Sequence, residues 1–123
     1  MIPELDRRSV ASGAIVGVAV GAVAVVAIRL VVHDSSTRTN VSLAFVIAGW
    51  EAAGWVAARD RADTPLTHGM AAGVASFVVL AVVDALVALA RGHGVPGALV
   101  LAGILSAVAG MAGGWLSLHR PPT

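Results

Sequence analysis

Long apolar runs broken by short polar segments set the reading of this chain: Val10–Val32, Val41–Ala58, Gly69–Ala90 and Val95–Leu118. Each is close to the ~20 residues a helix needs to cross the hydrocarbon core, and about twice the ~9–11 of a barrel strand. None alternates strictly in polarity, and lipid demands that backbone groups pair within the segment, so the runs predict helices. Between them lie HDSSTRTN (33–40), RDRADTPLTH (59–68) and RGHG (91–94), with Asn40, Pro65, Gly92 and Gly94 as breakers. Connections this short join antiparallel neighbours. The predicted fold is all-α, a single domain of four transmembrane helices in an antiparallel bundle.

Composition agrees and narrows the class. Hydrophobic residues make up 58% of the 123 residues and charged ones 12%, against a soluble average of ~45–50% and ~25%. With a mean hydropathy of +0.89, so short a chain cannot cover a water-facing globule with polar surface. Disorder, a collagen-like chain, a disulfide scaffold and a soluble multidomain enzyme are excluded. No Cys is present, which removes disulfides, thiol catalysis and cysteine metal sites. Eight Arg and no Lys face seven acidic residues without forming a basic run, so nucleic acid is not an expected partner.

Arginine placement predicts orientation. Arg7, Arg8, Arg59, Arg61 and Arg120 fall on the side of the N-terminus, second loop and C-terminus, while Arg38 and Arg91 fall on the other, with Arg29 just inside the first run. The positive-inside rule puts both termini in the cytoplasm of an inner-membrane protein. Trp55 and Trp115 then sit near the cytoplasmic headgroups. Arg7-Arg8 before an apolar run resembles an export leader, but the run exceeds a ~7–15-residue signal core and no small-residue cleavage site follows, so a retained anchor is expected. The halves also suggest a repeat. Gly13 and Gly17 open the first run as Gly69 and Gly73 open the third, and Gly54-Trp55 closes the second as Gly114-Trp115 closes the fourth. Two tandem hairpins related by a pseudo-two-fold along the membrane normal would produce this.

Small residues at intervals of four, Gly13, Gly17 and Gly21, then Gly69 and Gly73, then Ala102, Ser106, Gly110 and Gly114, predict close helix packing of glycine-zipper type. Arg29, Glu51 and Asp84 are the ionisable residues inside the runs. Such groups cost ~2.5–3.5 kcal/mol at the bilayer centre, so partners are expected. Arg29 and Asp84 lie at similar depth and are a candidate ion pair fixing register between the first and third helices. Glu51 lies near the midplane with no basic residue at its depth. An unpaired carboxyl in hydrocarbon favours its neutral form, the setting of a proton-coupled site; the alternative is a neutral carboxyl hydrogen-bonded to Ser76 or Ser106. His33, Asp34 and His93 share one side, but nothing fixes their spacing, and no metal site or cofactor is expected. Thr64 or Thr67 could cap the third helix. No nucleophile elbow, H-E-x-x-H or P-loop occurs and the polar segments are too small for a water-excluding pocket, so no enzyme is expected and no catalytic residue is assigned.

The stretch AGWEAAGWVAARDRADTPLTHGMAAGVASF (48–77) resembles small bacterial four-span membrane proteins without an assigned activity. In these, a Gly-rich second span ends in Ala-Gly-x-x-Ala-x-Arg and a polar loop leads into Leu-x-His-Gly-x-x-x-Gly. Ala53, Gly54, Ala57, Arg59, Leu66, His68, Gly69 and Gly73 carry the resemblance, which implies the four-helix topology and no reaction. Small multidrug-resistance transporters share the size, but their membrane-embedded Glu lies in the first span before an aromatic-rich chamber, whereas Glu51 is in the second and the chain has no Tyr. The expected function is a non-enzymatic accessory or scaffold subunit that binds another membrane protein through Gly/Ala helix faces. A homodimeric proton-coupled carrier or channel using Glu51 is the alternative.

Overall fold

The computed structural model describes residues 5–61, 63–92, 94 and 98–119, and every regular element among them is helical: α1 (Arg7–Val31), α2 (Ser35–Ala58), α3 (Pro65–Ala90) and α4 (Ala98–Ser117). All four contain stretches long and apolar enough to cross a membrane. The expected start of the fourth run at Val95, together with His93 and Arg120, lies outside the described residues.

Three helices begin earlier than their apolar runs, for local polar reasons. Asp6 is the N-cap of α1, accepting from the Arg8 N–H at 3.2 Å and from Ser9 Oγ at 2.6 Å. Asp34 caps α2 by accepting from the Thr37 N–H at 2.8 Å, which carries the helix through a polar segment expected to be loop. Arg38 then reaches back from the first turns of α2, its Nε donating to Val32 O at 3.2 Å and its Nη2 to His33 O at 3.1 Å, so it covers carbonyls at the C-terminal end of α1. In α3, Pro65 occupies the first turn, where its missing N–H costs nothing. Thr64 holds the N-cap position without a side-chain cap bond. At the far end of α3, Gly92 takes φ +77°, a left-handed helix stop with open space around it, so its conformational freedom is what the turn uses.

The helices are not arranged as a square. α1 packs on α2 and α3, α4 packs on α3 and α2, α2 touches α3, and among the described residues α1 and α4 do not touch. In cross-section α2 and α3 form the short diagonal of a rhombus, with α1 and α4 at its distant corners. Both hairpins of the expected repeat are present, but a parallel two-fold would exchange α1 with α3 and α2 with α4, and so would require an α1–α4 contact equal to that of α2 and α3. The observed contacts instead match an exchange of α1 with α4 and α2 with α3.

Packing is unequal along the bundle axis. The end carrying Arg59–Arg61 and Pro65 is closed by small side chains: Gly13 and Gly17 of α1, Ala53, Gly54 and Ala57 of α2, Gly69, Ala72, Gly73 and Ser76 of α3, and Gly110, Gly113 and Gly114 of α4 are all buried. Beyond the level of Gly21 and Gly49, the only buried residue among those described is Ile28. A Cβ added at Gly13 would meet Ala57 Cβ at 2.9 Å and Ala72 Cβ at 3.0 Å, and one at Gly17 would meet Ala53 Cβ at 2.9 Å. At Gly54, Gly69, Gly73, Gly110, Gly113 and Gly114 the nearest atoms would be backbone of a facing helix. Backbones this close gain dispersion and Cα–H···O contacts, which hold helices together where lipid supplies no hydrophobic drive. Ser76 adds a cross-helix bond, its Oγ donating to Ala14 O at 3.2 Å.

Candidate functional site

Where the small residues give way to larger ones, α1, α2 and α3 separate around a cavity of about 650 Å³. Its deep end is formed by Gly21, Trp50, Phe77 and Leu80, and its far end by Arg29, Arg38 and Asp84. Gly21 and Arg29 are eight residues apart on one helix, so the cavity runs ~12 Å along the axis at ~1.5 Å per residue. The change in side-chain size creates it. Gly17 and Ser76 let α1 and α3 touch, whereas at the next turn Gly21 faces Leu80, and beyond it Val25 and Val26 line the opening.

Trp50 and Phe77 meet edge to face, with centroids 6.1 Å apart and planes at 79°. Trp50 is 3% exposed, yet its Nε1–H has no acceptor among the described residues. An unpaired buried donor costs ~1–3 kcal/mol, and packing around the ring shields this one from any incoming acceptor. Arg29 and Asp84 both line the cavity, but their charged groups do not come within the 4.0 Å of an ion pair, and both side chains are exposed. Asp84 stands at the level of Val25, one turn past Leu80, which leaves Arg29 about a turn further out. The two charges share a cavity without meeting.

Glu51 lies elsewhere. It sits seven residues before the end of α2, at the edge of the α2–α4 contact, where its carbonyl abuts the Cα of Gly113. Its side chain is half-buried and bonds to no described residue. The serines expected as its partners are engaged otherwise: Ser76 Oγ bonds Ala14 O, and Ser106 Oγ donates to Gly103 O in its own helix at 2.6 Å. Nor does Glu51 line the cavity.

The closed end carries a polar knot that the sequence did not disclose. His68, 1% exposed, accepts the Asp6 N–H on Nε2 at 3.1 Å, so its ring proton is on Nδ1 and donates to Thr64 O at 2.9 Å. The Thr64 hydroxyl, expected to cap α3, stands 2.9 Å from the same Nδ1. Arg61 donates to the Asp6 carboxylate. Ser9 and then Arg61 hold that carboxyl down to about 2. Asp34 is likewise held below the usual carboxylate range, first by the Thr37 backbone N–H. Two signals pointed to the knot, an Asp before Arg-Arg-Ser at the head of an apolar run and a His one turn after Thr-Pro. Joining them requires the α1–α3 contact, which no local pattern contains. His33 and Asp34 are exposed at the opposite end, and no three metal-ligating side chains come together among the described residues.

Comparison with protein-family models, with curated proteins and with solved structures returned no match. The resemblance carried by residues 48–77 therefore rests on its motif alone.

Proposed function

We propose that this chain is a non-enzymatic subunit of the bacterial inner membrane, docking on another membrane protein along the α2–α4 seam around Glu51. The glycine and alanine faces expected to bind a partner are filled from within the chain. What supports docking is Glu51 itself. A half-buried carboxyl about 10 Å inside the helix end, without a partner among the described residues, is unfavourable against lipid. A facing helix that offers a donor, or a basic group, removes that cost. The excess of Arg7, Arg8, Arg59 and Arg61 at the closed end over Arg29, Arg38 and Arg91 at the other supports cytoplasmic termini.

The cavity favours a second reading, a homodimeric carrier for a small solute. In that reading Glu51 must act from the seam, because it does not face the cavity. The two readings part in one experiment. Purified from its native membrane in mild detergent, the chain should carry a stoichiometric second protein, which Glu51→Leu releases and Glu51→Gln retains. A homodimer whose proton flux in liposomes is abolished by Glu51→Gln supports the carrier instead. A stable 12.3 kDa monomer overturns both.

A further inference from the structure

The closed end holds a titratable side chain sealed inside the packing. His68 is 1% exposed and both of its ring nitrogens are engaged: Nε2 accepts the Asp6 N–H at 3.1 Å, and Nδ1 donates to Thr64 O at 2.9 Å. A backbone N–H can only donate, so the first bond requires a bare Nε2 and a neutral ring. An imidazolium carries a proton on each nitrogen, which sets donor against donor at Asp6. One side of that conflict can give way. The ring is tied through Thr64 to its own helix, and the next residue, Gly69, lies against the backbone of Gly110 and Gly114. Asp6 stands half-buried at the start of α1, and its carboxylate, which accepts from the Arg8 N–H, Ser9 Oγ and Arg61, keeps α1 capped if its own N–H leaves His68.

We propose that His68 is a proton-operated clasp for the start of α1: neutral, it holds the Asp6 N–H, and on taking up a proton it lets Asp6 go, loosening α1 from α3 at the closed end. The held state excludes the proton and the released state admits it. Holding is therefore present at high pH and is lost as pH falls, and the ratio of released to held changes by up to about tenfold per pH unit, the limit for one proton. Histidine is the side chain whose ordinary charge change falls between about pH 5 and 8. The charged groups facing the ring do not titrate there: from α1 comes the Asp6 carboxyl, held down to about 2, and from the α2–α3 turn comes Arg61, which donates to it. Arg7, Arg8, Arg59, Asp60 and Asp63 are exposed. α2 and α4 close this end with alanine, glycine and serine, and His119, exposed at the end of α4, bonds Trp115 O in its own helix. The inference is independent of the partner assigned to Glu51.

The test uses the full chain, labelled with nitrogen-15, in nanodiscs of phosphatidylcholine, titrated from about pH 8 to about pH 5. The ring nitrogen shifts of His68 should show the Nδ1–H tautomer at the high end and one protonation step below it. Amide protection at Asp6, corrected for the intrinsic pH dependence of exchange, should fall with the same midpoint and by up to about tenfold per pH unit beneath it, while protection at Gly110 stays constant. His68→Gln places an uncharged carbonyl acceptor near the Nε2 position, so Asp6 protection in that variant should not change with pH. His119→Gln should reproduce the unsubstituted profile. A ring that stays neutral to the end of the titration overturns the proposal, as does a fall in protection that persists in His68→Gln. Protonation of the ring with Asp6 protection constant or raised also overturns it, because the Asp6 carboxylate then accepts from the charged ring and the proton tightens the contact.

Discussion

Replacing Gly54 by Ala tests whether the closed end is held by backbone contact. The added methyl would stand 2.8 Å from the Gly110 carbonyl carbon and 3.0 Å from its Cα, with the carbonyl oxygen nearer still. Ordinary carbon contacts lie at ~3.5–4.0 Å, so α4 must retreat by ~0.5–1 Å, a gap that forfeits a quarter to a half of each dispersion well along the seam. No rotamer change relieves this, because the colliding atoms are backbone. The cost belongs at the upper end of the ~1–3 kcal/mol for overpacking, while Ala returns up to ~1 kcal/mol of helix propensity. A net loss of ~1–2 kcal/mol follows. Gly21→Ala is the internal control: its methyl would meet only Leu80 Cδ1 at 3.3 Å, the tip of a flexible side chain, and should stabilise by ~0.5–1 kcal/mol. The assay is reversible unfolding in mixed micelles, followed by circular dichroism. The two variants should differ by about 2 kcal/mol. If Gly54→Ala is as stable as Gly21→Ala, the helices are not in backbone contact at this seam and the reasoning fails.

Other expectations follow from the polar ends. His68→Ala removes the acceptor of the Asp6 N–H and the donor to Thr64 O, so amide exchange over residues 6–10 should accelerate while α4 stays protected. Because the Asp6 carboxyl is held down to about 2, its contribution is fully present above its ordinary value and is lost as pH falls through about 2; acid exchange profiles should show the α1 start loosening in that window, and Asp6→Asn should remove the transition. Asp34→Ala should fray α2 back toward Val41, lowering helicity measured by circular dichroism without changing the closed end. Substituting Arg38 by Gln should expose the Val32 and His33 carbonyls and increase exchange in the α1–α2 turn.

Much of the architecture was legible because lipid permits few solutions. The four apolar runs could only be helices, and their starts were missed where local signals extended them: Asp34 caps a segment that reads as loop, and Pro65 starts a helix that its apolar pattern places four residues later. Of the small-residue ladders, Gly13, Gly17, Gly69, Gly73, Gly110 and Gly114 face other helices, and Gly54 and Gly113, which the four-residue spacing did not single out, face them too. The rhombic arrangement was not legible, because the similarity between the halves lies in the same small residues that any close packing uses. Depth along the membrane could be counted, but azimuth could not. Glu51, Ser76 and Ser106 share a membrane without sharing a contact, and Arg29 and Asp84 share a cavity without pairing. Trp50 was visible as a tryptophan away from the run ends; that its N–H lacks an acceptor is a property of the folded packing alone.

The bundle is sealed at one end and opens to a cavity at the other. The chain has no cysteine, so single Ser→Cys variants, nearly isosteric, report local access without background. Ser42 lines the cavity and Ser76 is 0% exposed at the closed half. Ser42→Cys should react with a membrane-impermeant thiol reagent applied to one side of the membrane only, and Ser76→Cys should stay unmodified until the protein is unfolded. Equal rates at the two positions, or modification of Ser76→Cys in the folded protein while Ser42→Cys is protected, would contradict this account.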